Sequence, residues 1–484
     1  MRHRSPISNP DDTIVAPATA EGGALCVIRI CGADAVGIAD SMFRGRRPLR
    51  EAATHTLHYG RIVDADGRTI DDVVVAMMLA PHSYTGDDTI EISAHGSRYI
   101  ISEIIRLAIA AGARMASPGE FTARAFLAGR LDLSQAEAVA DTIAADSQWS
   151  LAIASTQMRG GYSELLAGLR TRLLHLTSLL ELELDFSEED VVFADRKQLR
   201  EILDEVQRQT RSLIDSFALG NALKNGVAVA IAGRPNVGKS TLLNRLCGDD
   251  RAMVSDIAGT TRDTVEAETR IDGVLFRFID TAGLRNTDDR LERMGIERTH
   301  EAIDKAHIVL HLTTPDHDDE HIDAAADRRV IKVLNKIDLL REDAQQNSYS
   351  AAEPHAASET RSVADSRNDA TAAAGSNDGN DGIVRISAKC GDGIDELRRR
   401  LRATVDTDRL SEGIVTVSNM RHYEALRRAD EALSRAVTAL DDNLPTELLS
   451  EEIRDILRPL GEITGEITSD DILASIFSKF CIGK

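Results

Sequence analysis

The chain has 484 residues, of which 42% are hydrophobic and 28% charged, the composition of an ordinary globular protein. Lys and Arg total 57 against 79 Asp and Glu, and the net charge of −22 excludes an even basic coating for binding nucleic acid. Any contact with RNA must therefore use a local patch or be delegated to a partner.

Cysteine usage and hydropathy indicate the compartment. The chain has five cysteines, and no two of them form a CxxC pair or a metal-ligand spacing. A reducing cytoplasm therefore fits better than a disulfide scaffold. No apolar run approaches the ~20 residues that cross a bilayer, and MRHRSPISNPDD lacks the apolar stretch of a signal peptide. We expect a cytoplasmic protein without a membrane segment, built from roughly two to four domains.

The first part of the chain has the pattern of a tail followed by an α+β domain. Residues 1–12 are polar and contain two prolines, which predicts a disordered tail. Over residues 13–118, apolar runs such as ALCVIRI, IDDVVVAMML and TIEIS alternate with turn residues and predict strands. The amphipathic run YIISEIIRLAIAAG predicts a helix that ends at Gly112.

Helical patterns flank the middle of the chain. Residues 119–223 are rich in Leu and Ala, and Ser134 and Glu137 have the spacing of a capping box, which predicts a helix start. A second helical pattern covers residues 404–484. Together the two blocks predict one all-α domain into which the intervening residues are inserted. The acidic run ELELDFSEED could suggest a metal site, but a solvated helix face is the better interpretation.

The middle of the chain, residues 224–403, alternates strand-like and helix-like runs. VAVAIA, VLFRFI, HIVLHL, RVIKVL and IVRISA are the apolar runs, and their rhythm predicts a doubly wound α/β fold with a mainly parallel sheet. Residues 341–382 break the pattern, because they are rich in Ala, Ser, Asn, Asp and Gly. This segment has too little apolar surface to offset the entropy of ordering, and we expect a disordered insertion.

A phosphate-binding motif supplies the strongest functional signal. GRPNVGKS, residues 233–240, is a full G-x-x-x-x-G-K-[ST] loop between the strand VAVAIA and the helical run STLLNRL. Gly233 and Gly238 let backbone N–H groups face the phosphates, and Lys239 adds a positive charge for the β- and γ-phosphates. The Ser240 hydroxyl can ligate Mg²⁺.

Three shorter motifs complete a guanine nucleotide site. DTAG follows VLFRFI, so Asp280 can hold the Mg²⁺ shell and Gly283 can approach the γ-phosphate. NKID follows RVIKVL, and the Asp338 carboxylate can accept two parallel hydrogen bonds from guanine N1 and N2, which adenine cannot offer. SAK ends IVRISAK and can bring the Ala388 N–H to guanine O6. Each motif alone is weak, but four in order at strand ends predict GTP binding.

The catalytic apparatus departs from that of a small GTPase. The position directly after DTAG, where such enzymes carry a water-orienting Gln, is Leu284. Asn236 and SDIAGTTRD, residues 255–263, could cage a monovalent cation beside the β- and γ-phosphates in place of an arginine finger. From the residues alone, an ordinary loop role for Asn236 is equally acceptable.

Longer segments extend the pattern over the chain. GRPNVGKSTLLN, SDIAGTTRD, DTAGLR, ERMGIE, FCIGK, CVIRICG, YTGDDTIEISAHG and SPGEFTARAFLAGRLDLSQAEAVADTI together resemble the tRNA-modifying GTPase family of the MnmE (TrmE) type. The resemblance covers nearly the whole chain, except residues 1–12 and 341–382. It implies a multidomain fold with an α+β N-terminal folate-binding domain, an all-α helical domain and an inserted α/β P-loop G domain with a Ras-like doubly wound sheet.

The resemblance also implies an activity and partners. The family acts with a FAD-containing flavoprotein to install a carboxymethylaminomethyl or aminomethyl group on C5 of the wobble uridine, position 34, of certain tRNAs. The one-carbon unit comes from 5-formyl- or methylene-tetrahydrofolate. Family members form homodimers through the N-terminal domains, and the complex with the flavoprotein is expected to be a heterotetramer that holds tRNA largely through that partner. GTP hydrolysis depends on K⁺, Mg²⁺ and pairing of the G domains.

The residues of the nucleotide site can be named from their positions in these motifs. The motifs and the resemblance together indicate these GTP contacts: Asn236, Val237, Gly238, Lys239, Ser240, Thr241, Ser255, Asp256, Ile257, Ala258, Gly259, Thr260, Thr261, Asp280, Thr281, Ala282, Gly283, Asn335, Lys336, Ile337, Asp338, Ser387, Ala388 and Lys389. The resemblance places K⁺ on Asn236, Ser255, Ile257 and Thr260, and Mg²⁺ on Ser240 and Thr261. It makes Glu292 the catalytic residue that orients the attacking water, although the pattern alone would make Glu292 a surface charge.

The folate contacts implied by the resemblance are Arg29, Glu91, Arg130 and Lys484. A carboxylate can pair with adjacent N–H donors of the pterin, and basic side chains suit the glutamate tail of the folate. Position 130 is Arg where the family often has Lys, which keeps the charge. The role of Cys481 stays open between a redox function and simple packing.

A different class of function is a ribosome-assembly or regulatory GTPase switch. Such a protein would carry a dedicated RNA-binding module, which is often basic. Here the flanks of the G domain are helical and acidic, so the tRNA-modifying GTPase is the favoured interpretation.

Overall fold

A computed structural model describes the greater part of the chain. The described residues are 9, 11–20, 22–185, 196–234, 236–248, 265–279, 303–304, 306–316, 329–340, 382–406 and 415–483. The chain divides into two compact units, the first made of Met1–Ala145, Leu151–Phe217 and Val415–Lys484, and the second of Asp146–Ser150 and Ala218–Ile414. The predicted insertion at residues 341–382 lies outside the described residues, apart from Gly382.

A seven-stranded sheet forms the start of the first unit. Its strands are β1 (Ile14–Pro17), β2 (Leu25–Cys31), β3 (Phe43–Gly45), β4 (Thr56–Val63), β5 (Thr69–Met78), β6 (Thr89–His95) and β7 (Arg114–Met115). Their spatial order is β3-β4-β5-β6-β2-β1-β7, antiparallel except for the parallel pair of β1 and β7.

Apolar side chains on one face of this sheet meet two helices, α1 (Ala35–Met42) and α2 (Arg98–Ala110). Alternation along β5 buries Val73, Val75 and Met77 in the same core as Ile38 and Ile104 of the helices. Each fully buried aliphatic side chain of this kind contributes about 1.5–3 kcal/mol relative to exposure. The predicted α+β arrangement is confirmed.

The helices that follow are α3 (Glu120–Leu127), α4 (Leu133–Ala144), α5 (Gln148–Met158), α6 (Gly161–Asp185) and α7 (Arg196–Asn225). The predicted capping box of Ser134 and Glu137 is wrong, because the helix begins earlier. Asp132 is the N-cap of α4 and accepts a hydrogen bond from the Gln135 N–H at 2.8 Å, while Gln135 Oε1 accepts from the Asp132 N–H at 2.9 Å. Ser134 and Glu137 are therefore buried helix residues.

A six-stranded sheet forms the centre of the second unit. Its strands are β8 (Val227–Ala232), β9 (Val265–Ile271), β10 (Val274–Ile279), β11 (Ile308–Thr313), β12 (Arg329–Leu334) and β13 (Val384–Arg385), in the order β13-β12-β11-β8-β10-β9. Only β9 and β10 pair antiparallel, and the other neighbours are parallel. Every residue of the central strand β8 is buried, as expected of a parallel strand covered on both faces. The helices α8 (Lys239–Cys247) and α9 (Ile394–Ala403) belong to the same unit.

The chain returns to the first unit with α10 (Met420–Asp441), α11 (Thr446–Thr464) and α12 (Asp470–Phe477). Leu169 and Leu203 from the helices before the second unit share one apolar core with Leu433 and Ile453 from the helices after it. The predicted fold class is confirmed: a mixed α/β N-terminal part, a helical part, and an α/β G domain inserted into the helical part. No helix among the described residues is long and apolar enough to span a membrane.

Candidate functional site

The phosphate loop lies between β8 and α8, as predicted. Gly238 is the N-cap of α8 with φ +99°, and it has no side chain that could cap the helix. The first N–H groups of α8 and the positive end of its dipole therefore suit a phosphate. Lys239 Nζ donates to the carbonyl oxygens of Gly233 and Arg234, which holds the ammonium group against the loop.

Two glycines of the loop are required by close approach of other backbone and side chains. A Cβ on Gly233 would lie 2.4 Å from the carbonyl oxygen of Leu312, at the end of β11. A Cβ on Gly238 would lie 2.4 Å from Asn335 Nδ2. Asn236 also has a positive φ of +65°, so the loop turns sharply on both sides of Val237.

Asn335 joins the phosphate loop to the SAK segment. Its side chain is 2% exposed, Nδ2 donates to the Val237 carbonyl oxygen at 2.8 Å, and Oδ1 accepts from the Ala388 N–H at 3.0 Å. The Asn335 N–H donates to the Thr313 carbonyl oxygen at 2.9 Å, which fixes the residue at the end of β11. One buried amide therefore positions two segments of the predicted nucleotide site.

Asp338 is held as a carboxylate. Ser387 Oγ donates to Asp338 Oδ1 at 2.7 Å, and this hydrogen bond is the main cause that lowers the pKa of Asp338 below its usual value. The side chain stays partly exposed while Ser387 is fully buried. The second oxygen of an ionised, positioned carboxylate can accept from a planar donor pair such as guanine N1 and N2.

The Ala388 N–H differs from the sequence expectation. It was expected to face guanine O6, and in the structure it donates to Asn335 Oδ1 instead. Guanine O6 would have to share this donor in a three-centre bond, or displace the Asn335 oxygen. Lys389, the next residue, is exposed at the open edge of the segment.

Arg245 also holds the predicted nucleotide site together, although none of the sequence motifs includes it. It lies on α8, and its Nη2 donates to the Lys389 carbonyl oxygen at 2.8 Å, with Nε 3.4 Å from the Ala388 carbonyl oxygen. Its guanidinium also packs beneath Gly391, where a Cβ would lie 3.4 Å from Nη2. The helix that carries Lys239 and Ser240 is thus bonded directly to the SAK segment. Sequence alone gives no signal for this contact beyond an arginine on the helix.

Of the other predicted site residues, some lie in the described part of the chain and some outside it. Lys336 has a positive φ of +63°, and the Ile337 N–H donates to the Ile386 carbonyl oxygen at 3.3 Å. Ser240 and Thr241 are exposed on the first turn of α8, where a hydroxyl can meet a metal ion or phosphate. The predicted residues that lie outside the described part of the chain are Ser255, Asp256, Ile257, Ala258, Gly259, Thr260, Thr261, Asp280, Thr281, Ala282, Gly283, Glu292 and Lys484. In the described part, no group of three or more His, Cys, Asp or Glu forms a metal cluster.

A second candidate site lies in the first unit, where Arg29 and Glu91 pair across β2 and β6. Arg29 Nε and Nη2 both donate to Glu91 Oε1, at 2.9 and 2.7 Å. Oε2 of Glu91 accepts no hydrogen bond from the described residues, and the side chain is 27% exposed. This oxygen suits an N–H donor of a ligand.

Aromatic side chains enclose the Arg29 guanidinium, and sequence reasoning missed them. Its carbon Cζ lies 5.9 Å from the ring centre of Tyr84 and 5.4 Å from that of Phe121. Arg29 Nη1 lies 3.4 Å from the Gly483 carbonyl oxygen, so the C-terminal segment reaches this pair. Arg130 Nη2 donates to the Ser83 carbonyl oxygen at 3.3 Å, next to Tyr84. Three predicted folate residues therefore share one neighbourhood with two aromatic rings.

Comparisons with known protein families cover nearly the whole chain. Residues 13–130 match the family model described as GTP-binding protein TrmE N-terminus, and residues 133–481 match the MnmE helical domain. The chain belongs to the MnmE family. A relative from Cytophaga hutchinsonii, called tRNA modification GTPase MnmE, is 46% identical over 99% of both chains.

A second family member, from Flavobacterium johnsoniae and with the same name, is 46% identical over 98% of this chain and 99% of its own. Among solved structures, the FeoB G domain from Methanococcus jannaschii matches with 19% identity and a TM-score of 0.22. That match covers 37% of this chain and 97% of the FeoB chain.

Proposed function

We propose that this chain is a GTP hydrolase that acts in tRNA modification. With a flavoprotein partner it installs a carboxymethylaminomethyl or aminomethyl group on C5 of the wobble uridine, position 34, of certain tRNAs. The observation that carries the proposal is the Asn335 amide, which joins the phosphate loop to the SAK segment. The full-length relatives named tRNA modification GTPase MnmE support the tRNA substrate.

The nucleotide site divides into base and phosphate contacts. Asp338 pairs with guanine N1 and N2, and Lys239 binds the β- and γ-phosphates beside the first N–H groups of α8. Ser240 and Thr261 would hold Mg²⁺, which when bound would supply positive charge against the phosphates. Asp280 and Gly283 complete the phosphate contacts, and Glu292 orients the attacking water.

A monovalent cation replaces the arginine finger in this proposal. Asn236 offers a side-chain oxygen on an exposed, sharply turned loop, and Ser255, Ile257 and Thr260 complete the set of K⁺ ligands. A cation at this place offsets negative charge that develops between the β- and γ-phosphates. Leu284 has no group that could orient water, so the chemistry needs such a substitute.

The N-terminal part binds a reduced folate, 5-formyl- or methylene-tetrahydrofolate, as the source of the one-carbon unit. Oε2 of Glu91 suits a pterin N–H, and the basic side chains of Arg130 and Lys484 suit the folate glutamate tail. The rings of Tyr84 and Phe121 give a flat pterin apolar surface next to Arg29. The protein acts as a homodimer through its N-terminal domains, and it forms a heterotetramer with the flavoprotein, which makes most of the contacts with the tRNA.

Salt exchange tests the hydrolase part. The full chain should hydrolyse GTP fast in KCl and slowly in NaCl at equal ionic strength, by a factor approaching the ~10³–10⁵ of an arginine finger. Asn236→Ala should flatten the difference and leave binding of a fluorescent GDP largely unchanged. Equal rates of the wild type in the two salts would remove the cation from the mechanism.

Mass spectrometry of tRNA nucleosides tests the modification part. A strain that lacks this gene should lose the modified wobble uridine, and the wild-type gene should restore it, whereas a Lys239→Ala allele should not. Unchanged nucleosides together with a defect in ribosomal subunits would favour the assembly GTPase instead.

A further inference from the structure

The edge of the first-unit sheet carries an unusual concentration of arginine. Residues 43–61 contain five arginines, Arg44, Arg46, Arg47, Arg50 and Arg61, and one acid, Glu51, so the formal charge is 5 − 1, or +4. The whole chain has a net charge of −22. This stretch therefore has a local charge of the opposite sign to that of the whole protein.

These arginines are largely without carboxylate partners. Arg46, Arg47 and Arg61 are exposed and make no ion pair with the described residues, and Arg44 Nη1 bonds main-chain carbonyl oxygens only. Arg50 alone pairs with a carboxylate, at 3.1 Å from Asp40 Oδ2.

Many exposed arginines elsewhere in the structure are matched with acids, although in the described part of the chain Arg68, Arg159 and Arg458 are not. Pairs of this kind join Arg106 to Glu103, Arg399 to Glu396, Arg427 to Glu431, Arg428 to Glu462, Arg435 to Glu452 and Arg454 to Glu181. The acidic protein thus neutralises many of its surface guanidinium groups but leaves the set on this edge uncompensated.

The register concentrates the charge further. Arg44 on β3 and Arg61 on β4 are directly opposite partners in the antiparallel ladder, so their side chains project from the same face. Like charges directly opposite each other destabilise a sheet. Protection of the sheet edge against strand addition needs charge on β3 only. It does not explain Arg61 on the second strand, nor Arg46 and Arg47 after the edge strand has ended.

An exposed aromatic residue lies beside the arginines. Tyr59 on β4 is 71% exposed and is two residues before Arg61, so the phenol ring and the Arg61 guanidinium share the face that carries Arg44. Leu57, next on the same face, is 73% exposed. Guanidinium groups for phosphates together with a free aromatic ring for base stacking are the combination by which proteins hold unpaired nucleotides.

We propose that Arg44, Arg46, Arg47, Arg61 and Tyr59 form a surface that binds an unpaired loop of RNA, with the arginines on phosphates and a base stacked on Tyr59. We call these five residues the arginine edge. This inference rests on the proposed function in one respect, since the loop is that of the tRNA substrate. Through the arginine edge, this chain binds RNA directly, in addition to the contacts that the flavoprotein makes.

Binding of a fluorescent anticodon stem-loop to the full-length chain tests the arginine edge across a range of KCl concentrations. Arg46→Gln with Arg47→Gln should weaken binding and reduce the slope of log K against log salt by about 1.4, since each lost phosphate contact on a single strand contributes ~0.7. Tyr59→Ala should weaken binding about tenfold with an unchanged slope, and Tyr59→Phe should restore it, because stacking needs the ring and not the hydroxyl.

The matched control removes the same charge elsewhere. Arg106→Gln with Arg399→Gln takes away two exposed arginines that already have carboxylate partners, and it should leave RNA binding close to that of the wild type. Equal losses in the two double variants would mean that net charge alone governs binding, and would overturn the proposal. So would wild-type affinity in the arginine-edge variants, or equally tight binding to phosphatidylglycerol vesicles.

The outcomes separate this inference from the proposed function. A wild-type chain that hydrolyses GTP and restores the modified uridine, yet does not bind the stem-loop, overturns the arginine edge only. A chain that binds the stem-loop but neither hydrolyses GTP nor restores the nucleoside overturns the proposed function and leaves an RNA-binding surface.

Discussion

Asn335 accepts a hydrogen bond from the Ala388 N–H at 3.0 Å while the other end of the same amide donates to the phosphate loop at 2.8 Å. The amide is 2% exposed, so water cannot replace either partner. The SAK segment and the phosphate loop are therefore joined through one buried group, and we expect a ligand that moves one segment to shift the other.

Replacement of Asn335 should lower stability and weaken nucleotide binding together. Asn335→Ala leaves the Val237 carbonyl and the Ala388 N–H unpaired, which lowers the free energy of unfolding by about 1–3 kcal/mol. If GDP binding has to restore the order of the two segments, a cost of that size corresponds to roughly tenfold to hundredfold weaker binding. Titration with a fluorescent GDP analogue measures this change. Asn335→Asp should be no better, because a carboxylate oxygen would face the Val237 carbonyl oxygen.

Asn225→Ala serves as the control for that prediction. Asn225 is exposed in the same unit, and its side chain bonds only Asn221 among the described residues, at 2.6 Å. GDP affinity should not change in this variant. If Asn335→Ala bound GDP as the wild type does, the amide would have no part in positioning the two segments.

Arg245 should control how long the nucleotide stays bound. Arg245→Ala removes the bonds from α8 to Lys389 and Ala388, which loosens the SAK segment at its exposed end. We expect GDP dissociation to become about five- to tenfold faster, in line with the loss of one charged hydrogen bond at a partly exposed site. Stopped-flow displacement of a fluorescent GDP measures the rate.

Arg398→Ala gives the comparison for Arg245. Arg398 Nη2 donates to the Leu246 carbonyl oxygen at 3.1 Å, so it bonds α9 to the end of α8 without contact to the SAK segment. The dissociation rate should change little in this variant. An equal acceleration in both would show that general loosening of α8, rather than the contact with Lys389, sets the rate.

Motifs within a short stretch of sequence could be predicted, whereas contacts between residues far apart in the sequence could not. The phosphate loop, NKID and SAK are local patterns, and the structure places each at the end of a strand. The bonds of Asn335 and Arg245 join residues 98 and 143 positions apart, and nothing in the local sequence specifies such partners. Ala388 shows the consequence, because its N–H was assigned to the ligand and is bonded to Asn335 in the structure.

The sequence predicted that a helix begins with a capping box in this region, but it did not identify which residue is the N-cap. The sequence between Asp132 and Glu137 contains two overlapping patterns with the spacing of a capping box, and only the pair Asp132 and Gln135 forms one. Ser134 and Glu137 are buried by packing, and Glu137 instead bonds to residues of α10. Tertiary partners therefore decided between two local alternatives that propensity could not separate.

The Arg29–Glu91 pair predicts a selective loss of folate binding. Arg29→Ala should abolish binding of 5-formyltetrahydrofolate in calorimetry, because Glu91 loses the partner that orients it and the two aromatic rings lose the group between them. GTP hydrolysis should persist, since Arg29 lies in the other unit. Arg50→Ala, which removes an exposed arginine of the same sheet region, is the matched control. A wild-type dimer that takes up no folate would refute the assignment.

A buried ionic cluster in the helical part should make the free energy of unfolding depend on pH. Glu137 Oε2 lies 2.6 Å from His422 Nε2 and 2.8 Å from Arg421 Nη2, and Arg421 also donates to the carbonyl oxygens of Glu462 and Ile463. Burial alone would raise the pKa of Glu137, but the charges and hydrogen bonds of His422 and Arg421 outweigh it and hold the pKa at about 2. The ring of Tyr162 covers His422, with 5.3 Å between ring centres.

The sign of the pH effect follows from that lowered pKa. In the unfolded chain the carboxyl has its ordinary pKa of 4.5, so its contribution to stability is complete above that pH and is lost as pH falls toward about 2. We expect the helical part of the wild type to lose about 2 kcal/mol from this group between pH 4.5 and about pH 3. Calorimetric unfolding of the wild type and of Glu137→Gln at a series of pH values measures it.

The decisive quantity is the difference in melting temperature between the wild type and Glu137→Gln. Glu137→Gln should melt well below the wild type at neutral pH, because it leaves the charge of the partly buried Arg421 without its carboxylate partner. The gap should narrow as pH falls below 4.5, since the unfolded wild-type chain then takes up a proton on this carboxyl that the folded chain does not accept until about pH 2. Glu103→Gln, which removes a partly exposed carboxylate paired with the exposed Arg106, should melt close to the wild type at every pH. A gap between wild type and Glu137→Gln that stayed constant down to pH 3 would show that shape, and not charge, is what Glu137 contributes to the junction of α4, α10 and α11.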